Sequence, residues 1–224
     1  MDLGDHYAET RARLLELGAS LSDDDAATRL LTCPEWTVKD AFAHVTGVCA
    51  DVLDGNVEGA ATDPWTARQV AERADRALPE ILDEWTRRGP DLDALLRQIG
   101  GIDGVKRIPI DQWTHEQDVR GTLGCPGGKD APVVAWAVET MVPGFGDGWA
   151  EAGRAPARVV ATTGEWMLGD GEPVATLRAS DFELARILVG RRSRTQALAS
   201  WEGDGEPFVD HLVAFSFSAT DVLE

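Results

Sequence analysis

Cys33-Pro34-Glu35-Trp36-Thr37-Val38-Lys39-Asp40-Ala41-Phe42-Ala43-His44-Val45 reads as the start of a helix with a histidine set into its apolar side. Thr37 is a good N-cap, and Asp40 stands three residues on, as in a capping box with Asp in place of Glu. The helix is expected to run to about Asp54. Its inner face carries Val38, Phe42, Val45 and Cys49, with Ala41, His44 and Val48 beside them. A histidine in that position is either a satisfied core residue or a ligand.

A second segment bears on that choice. In Asp111-Gln112-Trp113-Thr114-His115 an acid and a histidine stand four apart, on one face of a helix and one turn from each other. Alone, the pair could be a surface hydrogen bond. With His44 from a neighbouring helix, three donors could grip one divalent ion and leave a fourth position open. That is the arrangement of a catalytic zinc site. Asp118 lies a further turn along and could orient a ligand histidine through its other ring nitrogen. It could equally be a surface acid near Arg120. His6 and His211 read as surface residues, and Trp36 and Trp113 as core residues.

Working outward, residues Asp5 to Leu17 fit an amphipathic helix that stops at Gly18, and Asp23 to Leu31 a short helical turn. Pro64 to Arg88 reads as a third long helix, with Pro79 as a kink or break. The fourth starts near Pro109 and ends around Gly121 or Gly124. Pro132 to Met141 is a further short helix. Four main helices with inward-facing ligands predict a bundle. After Gly153 the pattern changes: Val159 to Ala161, Glu165 to Leu168 and Val174 to Leu177 read as strands. Ser180 then caps a helix from Phe182 to Leu188, and another begins near Arg194. The expectation is an α+β chain with a helical bundle over residues 1–153 and a small α/β domain over 154–224.

Composition narrows the function. The net charge of −18 disfavours nucleic-acid binding. No apolar run is long enough for a membrane span. The first residues, Met1-Asp2-Leu3-Gly4-Asp5, lack the pattern of a signal peptide, so a cytoplasmic location is expected. Cys33, Cys49 and Cys125 form neither a disulfide framework nor a zinc knuckle. A reactive thiol at Cys33 or Cys125 is the alternative to small buried apolar residues. The sequence sets no oligomeric state and is compatible with a monomer.

The stretch from Cys33 to Val45 resembles the first metal-binding segment of the mycothiol-dependent maleylpyruvate isomerase family, bacterial and largely actinobacterial proteins of the DinB-like superfamily. Asp111 to Gly124, with His115-Glu116-Gln117-Asp118-Val119-Arg120, looks like its second segment. Phe182-Glu183-Leu184-Ala185-Arg186, Gly190-Arg191-Arg192-Ser193 and Trp201-Glu202-Gly203-Asp204 resemble the family's small C-terminal, sterol-carrier-like domain. The resemblance implies an up-down-up-down bundle in which His44, Asp111 and His115 bind a divalent metal, usually zinc. It implies mycothiol as the thiol cofactor at the open position. It also implies that Arg191 or Arg192 serves the metal cleft by holding an anionic substrate or the cofactor, with Arg186 and Arg194 weaker candidates. A helix terminus with compensating charges is the other reading of that cluster. The chain departs from the isomerase at Asp111, where the family uses Glu.

A metal-bound thiol is deprotonated and becomes a nucleophile. Addition to a conjugated double bond, rotation and loss of the thiol would make the protein an isomerase. Retention of the thiol on the small-molecule electrophile would make it an S-transferase. Two other readings stay open: a metal-dependent hydrolase using bound hydroxide, and a metal-containing ligand-binding or regulatory protein whose C-terminal module takes an apolar ligand.

Overall fold

The computed structural model describes the backbone over residues 1–224 and the side chains at every position but 103. The chain divides into two compact units, Met1–Gly128 with Glu224, and Lys129–Leu223.

The first unit contains α1 (Leu3–Ala19), α2 (Asp23–Ala27), α3 (Val38–Asp54), α4 (Asp63–Ala71), α5 (Leu78–Ile99) and α6 (Arg107–Leu123). Helix α3 begins where its sequence says it should. Thr37 Oγ1 accepts the Asp40 N–H, the Asp40 carboxylate accepts the Thr37 N–H, and Gly55 ends the helix with a φ of 75°. Gly124 ends α6 in the same left-handed way.

The third long helix differs from expectation. The chain breaks after α4, and Pro79 sits in the first turn of α5, where its missing N–H leaves nothing unsatisfied. Helix α5 then continues through Pro90 to Ile99, because Leu92 and Leu96 bury fully in the core. That burial outweighs the one hydrogen bond an internal proline removes.

Four of these helices form the bundle: α1 packs against α5 and α6, and α3 packs against the same two. Asp5 pairs with Arg97 and Gly18 lies against Leu82, so α1 and α5 are antiparallel. The Lys39 ammonium reaches the Ala74 and Arg76 carbonyls ahead of α5, and Arg88 meets Asp54. Helices α3 and α5 are therefore parallel. His44 lies by Asp111, and the Leu31 N–H ahead of α3 donates to Thr122 near the end of α6, so these two helices are antiparallel. The path is up, down, down, up, which corrects the expected up-down-up-down. Parallel neighbours need a long return, and residues 55–77 with α4 provide it. The helical bundle, and the presence of a small sheet later in the chain, agree with the sequence reading.

The second unit holds α7 (Pro132–Gly146), β1 (Ala157–Val160), β2 (Glu165–Leu168), β3 (Ala175–Arg178), α8 (Asp181–Leu188), α9 (Arg194–Ala199) and β4 (Trp201–Glu202). The strand order is β2-β1-β3-β4, with β1 and β3 parallel and the outer pairs antiparallel. Ala157, Val159, Leu168, Ala175 and Leu177 share the buried face, in register across the sheet. Helix α7 packs against α8 and β2, which assigns it to this unit. The division into compact units falls at 128/129, ahead of residue 153, after which the sequence pattern changes from helix to strand. The short strand β4 carried too few residues to show any alternation.

Candidate metal centre

Three side chains converge inside the first unit. His44 comes from the second turn of α3, and Asp111 and His115 come from α6. One donor atom from each lies within 4.8 Å of the others, the one such cluster of His, Cys, Asp and Glu among the described residues. His44 Nε2 is 3.1 Å from Asp111 Oδ2, and His115 Nε2 is 3.6 Å from Asp111 Oδ1. Tetrahedral ligands at about 2.0–2.1 Å from zinc stand about 3.4 Å apart, so the spacing of the Asp111 carboxylate from each histidine suits such an ion. Aspartate is one methylene shorter than glutamate, yet at position 111 it reaches both histidines.

The site is open on one side. The two histidine side chains are 5% and 7% exposed, whereas the Asp111 side chain is 41% exposed. A ligand completing the coordination would enter past Asp111. Trp36 covers part of the entrance. Its ring lies 5.2 Å from that of His44 and 5.4 Å from that of His115. The half-exposed indole is a wall of the site and not the core residue the sequence suggested. Its loop is tied down locally. The Leu30 N–H donates to the Trp36 carbonyl, and Arg29 donates to the Pro34 and Glu35 carbonyls. Trp113, by contrast, is fully buried as expected.

Each histidine has a partner behind it. His115 Nδ1 stands 3.1 Å from the buried carboxylate of Asp118, three residues on along α6. Burial disfavours the charged form of His115, but the Asp111 and Asp118 carboxylates outweigh it and raise the pKa to about 9. Burial acts to raise the Asp111 pKa, yet the two histidines hold the carboxyl well below its ordinary range. Behind His44 stands Gln69 of α4, whose Oε1 is 2.8 Å from Nδ1. Gln69 was missed because a lone glutamine on a polar helix carries no signal. A trace does exist at Gly47, a helix-interior glycine one turn beyond His44.

Other candidates fall elsewhere. His6 is buried, not on the surface, and burial lowers its pKa, because the first turn of α1 lies in the bundle. His211 is exposed, in a short 3-10 turn and not a helix proper. None of the three cysteines joins the metal cluster, and burial raises the Cys49 thiol to about 11, which keeps it protonated. In the second unit, the buried Arg192 guanidinium donates twice to Glu183, at 2.7 and 2.8 Å, and lies over the Phe182 ring. Arg191 is half-buried, Arg186 fully buried, and Arg194 pairs with Glu206 and Asp210.

A helical bundle with an inward-facing His, Asp, His set is the frame of a DinB-like metal-binding protein. The profile of the mycothiol maleylpyruvate isomerase N-terminal domain matches residues 7–120, and the chain belongs to that family. That span takes in all three donors. Comparison with curated proteins gave no significant match, and neither did comparison with solved structures. Among the described residues, no helix is long and apolar enough to cross a membrane.

Proposed function

We propose that this protein is a metal-dependent, mycothiol-using enzyme that adds the thiol to an electrophilic, anionic small molecule, as an isomerase or an S-transferase. The convergence of His44, Asp111 and His115 at a site open on one side, in a chain of this family, carries the reading. A bound divalent cation, zinc in this proposal, would favour the thiolate over the thiol.

The chain's own residues set the conditions. Two neutral imidazoles and one carboxylate leave a dication with net positive charge, which favours an anionic fourth ligand. Burial of both histidines withholds competing water on that side. Asp111, at the rim, lies where the incoming thiol meets the site, and Trp36 walls it. Asp118 and Gln69 hold the two rings in place. Arg191 and Arg192 are the proposed holders of an anionic group, on the resemblance of the Gly-Arg-Arg-Ser segment; Glu183 already meets part of the Arg192 charge. A cytoplasmic location, where low-molecular-weight thiols are kept reduced, fits this role.

The test is consumption of a conjugated cis-dicarboxylate or another electrophilic probe by the metal-loaded protein, with and without mycothiol. Turnover that requires mycothiol is expected. Turnover without any thiol would replace the proposal with a hydrolase. No turnover, with an apolar ligand retained on purification, would make it a binding protein.

A further inference from the structure

The crossover helix α4 contributes no donor to the metal cluster, yet one of its side chains touches a donor. Gln69 is fully buried, its Oε1 2.8 Å from His44 Nδ1 and its Nε2 2.7 Å from Asp51 Oδ2. A glutamine amide could face either way, and Asp51 removes the ambiguity. An ionised carboxylate only accepts hydrogen bonds, so the group facing it must be the amide NH₂. The amide oxygen is then left facing His44, and it also only accepts. Nδ1 must therefore carry a hydrogen, which turns Nε2 toward Asp111 as the donor atom for a metal. Asp51 is itself held by Arg68, 3.1 Å away.

The approach that makes this contact possible depends on Gly47. A β-carbon at position 47 would lie 2.5 Å from Gln69 Cβ and 2.7 Å from Cγ, so only glycine lets α4 sit this close to α3. Arg73 then pins the end of α4, donating to the Gln69 carbonyl and to Glu84 of α5.

We propose that Gln69 is a positioning residue of the metal site: oriented by Asp51 and seated against Gly47, it fixes His44 in the Nδ1–H form that presents Nε2 to the metal. The two histidines thus have unlike supports, a carboxylate behind His115 and a neutral amide behind His44. The inference rests on the reading of His44 as a metal ligand, and the test separates the two.

Zinc affinity of the full chain is measured by competition with a chromogenic chelator. The coordinating nitrogen of His44 is read by ¹⁵N NMR of the zinc-loaded protein. The wild type is expected to bind zinc through Nε2, with a slowly exchanging proton on Nδ1. Gln69→Leu is expected to weaken binding by roughly 10–100-fold and to lose protection of that proton. The double variant Gln69→Glu with Asp51→Asn, which keeps an acceptor facing Nδ1 and turns an amide NH₂ toward the new carboxylate, should recover most of the affinity. Gly47→Ala and Asp51→Ala reach the same contact from either side and should each weaken binding; they carry the test if Gln69→Leu does not fold. Zinc bound through Nδ1, or wild-type affinity in the variants that fold, overturns the inference and leaves the triad standing. A wild type that binds no divalent ion removes the metal site itself.

Discussion

His115 is where protonation and metal binding compete most directly. Its folded pKa of about 9 lies above the ordinary 6.5, so the charged ring stabilises the folded state. That contribution is complete below about pH 6.5 and is lost as pH rises through about 9. Asp111 works in the opposite sense. Its folded pKa lies below the ordinary 3.8, so its contribution is present above that value and is lost as pH falls below it. After removal of metal with a chelator, thermal stability should therefore peak between about pH 4 and 6.5 and fall toward pH 9. His115→Asn should flatten the alkaline fall, and an unchanged slope would contradict the assignment. Metal binding should show the reverse trend. The ring must lose its proton to coordinate, so binding near pH 7 should release protons, and affinity should rise with pH. Calorimetry in buffers of different ionisation enthalpy reads that release, and its absence would contradict the account.

At the scale of elements, α3 and the loop before it place both His44 and Trp36. Thr37 links the two through its reciprocal bonds with Asp40. Thr37→Ala should cost about 1 kcal/mol in chemical denaturation, within the usual range for a lost N-cap. It should also weaken metal binding modestly, because the loop carrying Trp36 starts to fray at the same point. No stability change would show that the Arg29–Thr37 bridge holds the loop unaided. This element was legible because cap, apolar period and glycine stop all sit within one short segment. The α6 donors were legible because their i, i+4 and i, i+3 spacings are local facts. The sequence reading ends the third long helix at Arg88, and the burial of Leu92 and Leu96 carries α5 past Pro90 to Ile99. Gln69, Trp36 and the direction of α5 were not legible. Each depends on which helices become neighbours, and that is decided by the long return through α4.

Across the whole molecule, the profile of the family covers residues 7–120, within the stretch Met1–Gly128 of the first unit, so the His44, Asp111 and His115 cluster lies inside the matched span. The second unit contributes a sheet with one buried face and the arginine cluster around 191, whose part in the reaction is a proposal resting on resemblance. Helix α7 is as helical as the bundle, so the sequence pattern changes only after Gly153, whereas the partners of α7, α8 and β2, come later in the chain. The central claim is that His44, Asp111 and His115 hold a catalytic divalent ion. Elemental analysis of protein purified from zinc-replete cells, beside folded His44→Ala and His115→Ala variants, tests it most directly. The account predicts about one equivalent of metal per chain in the wild type and none in either variant. A folded wild type without metal, or variants that keep it, would contradict the account.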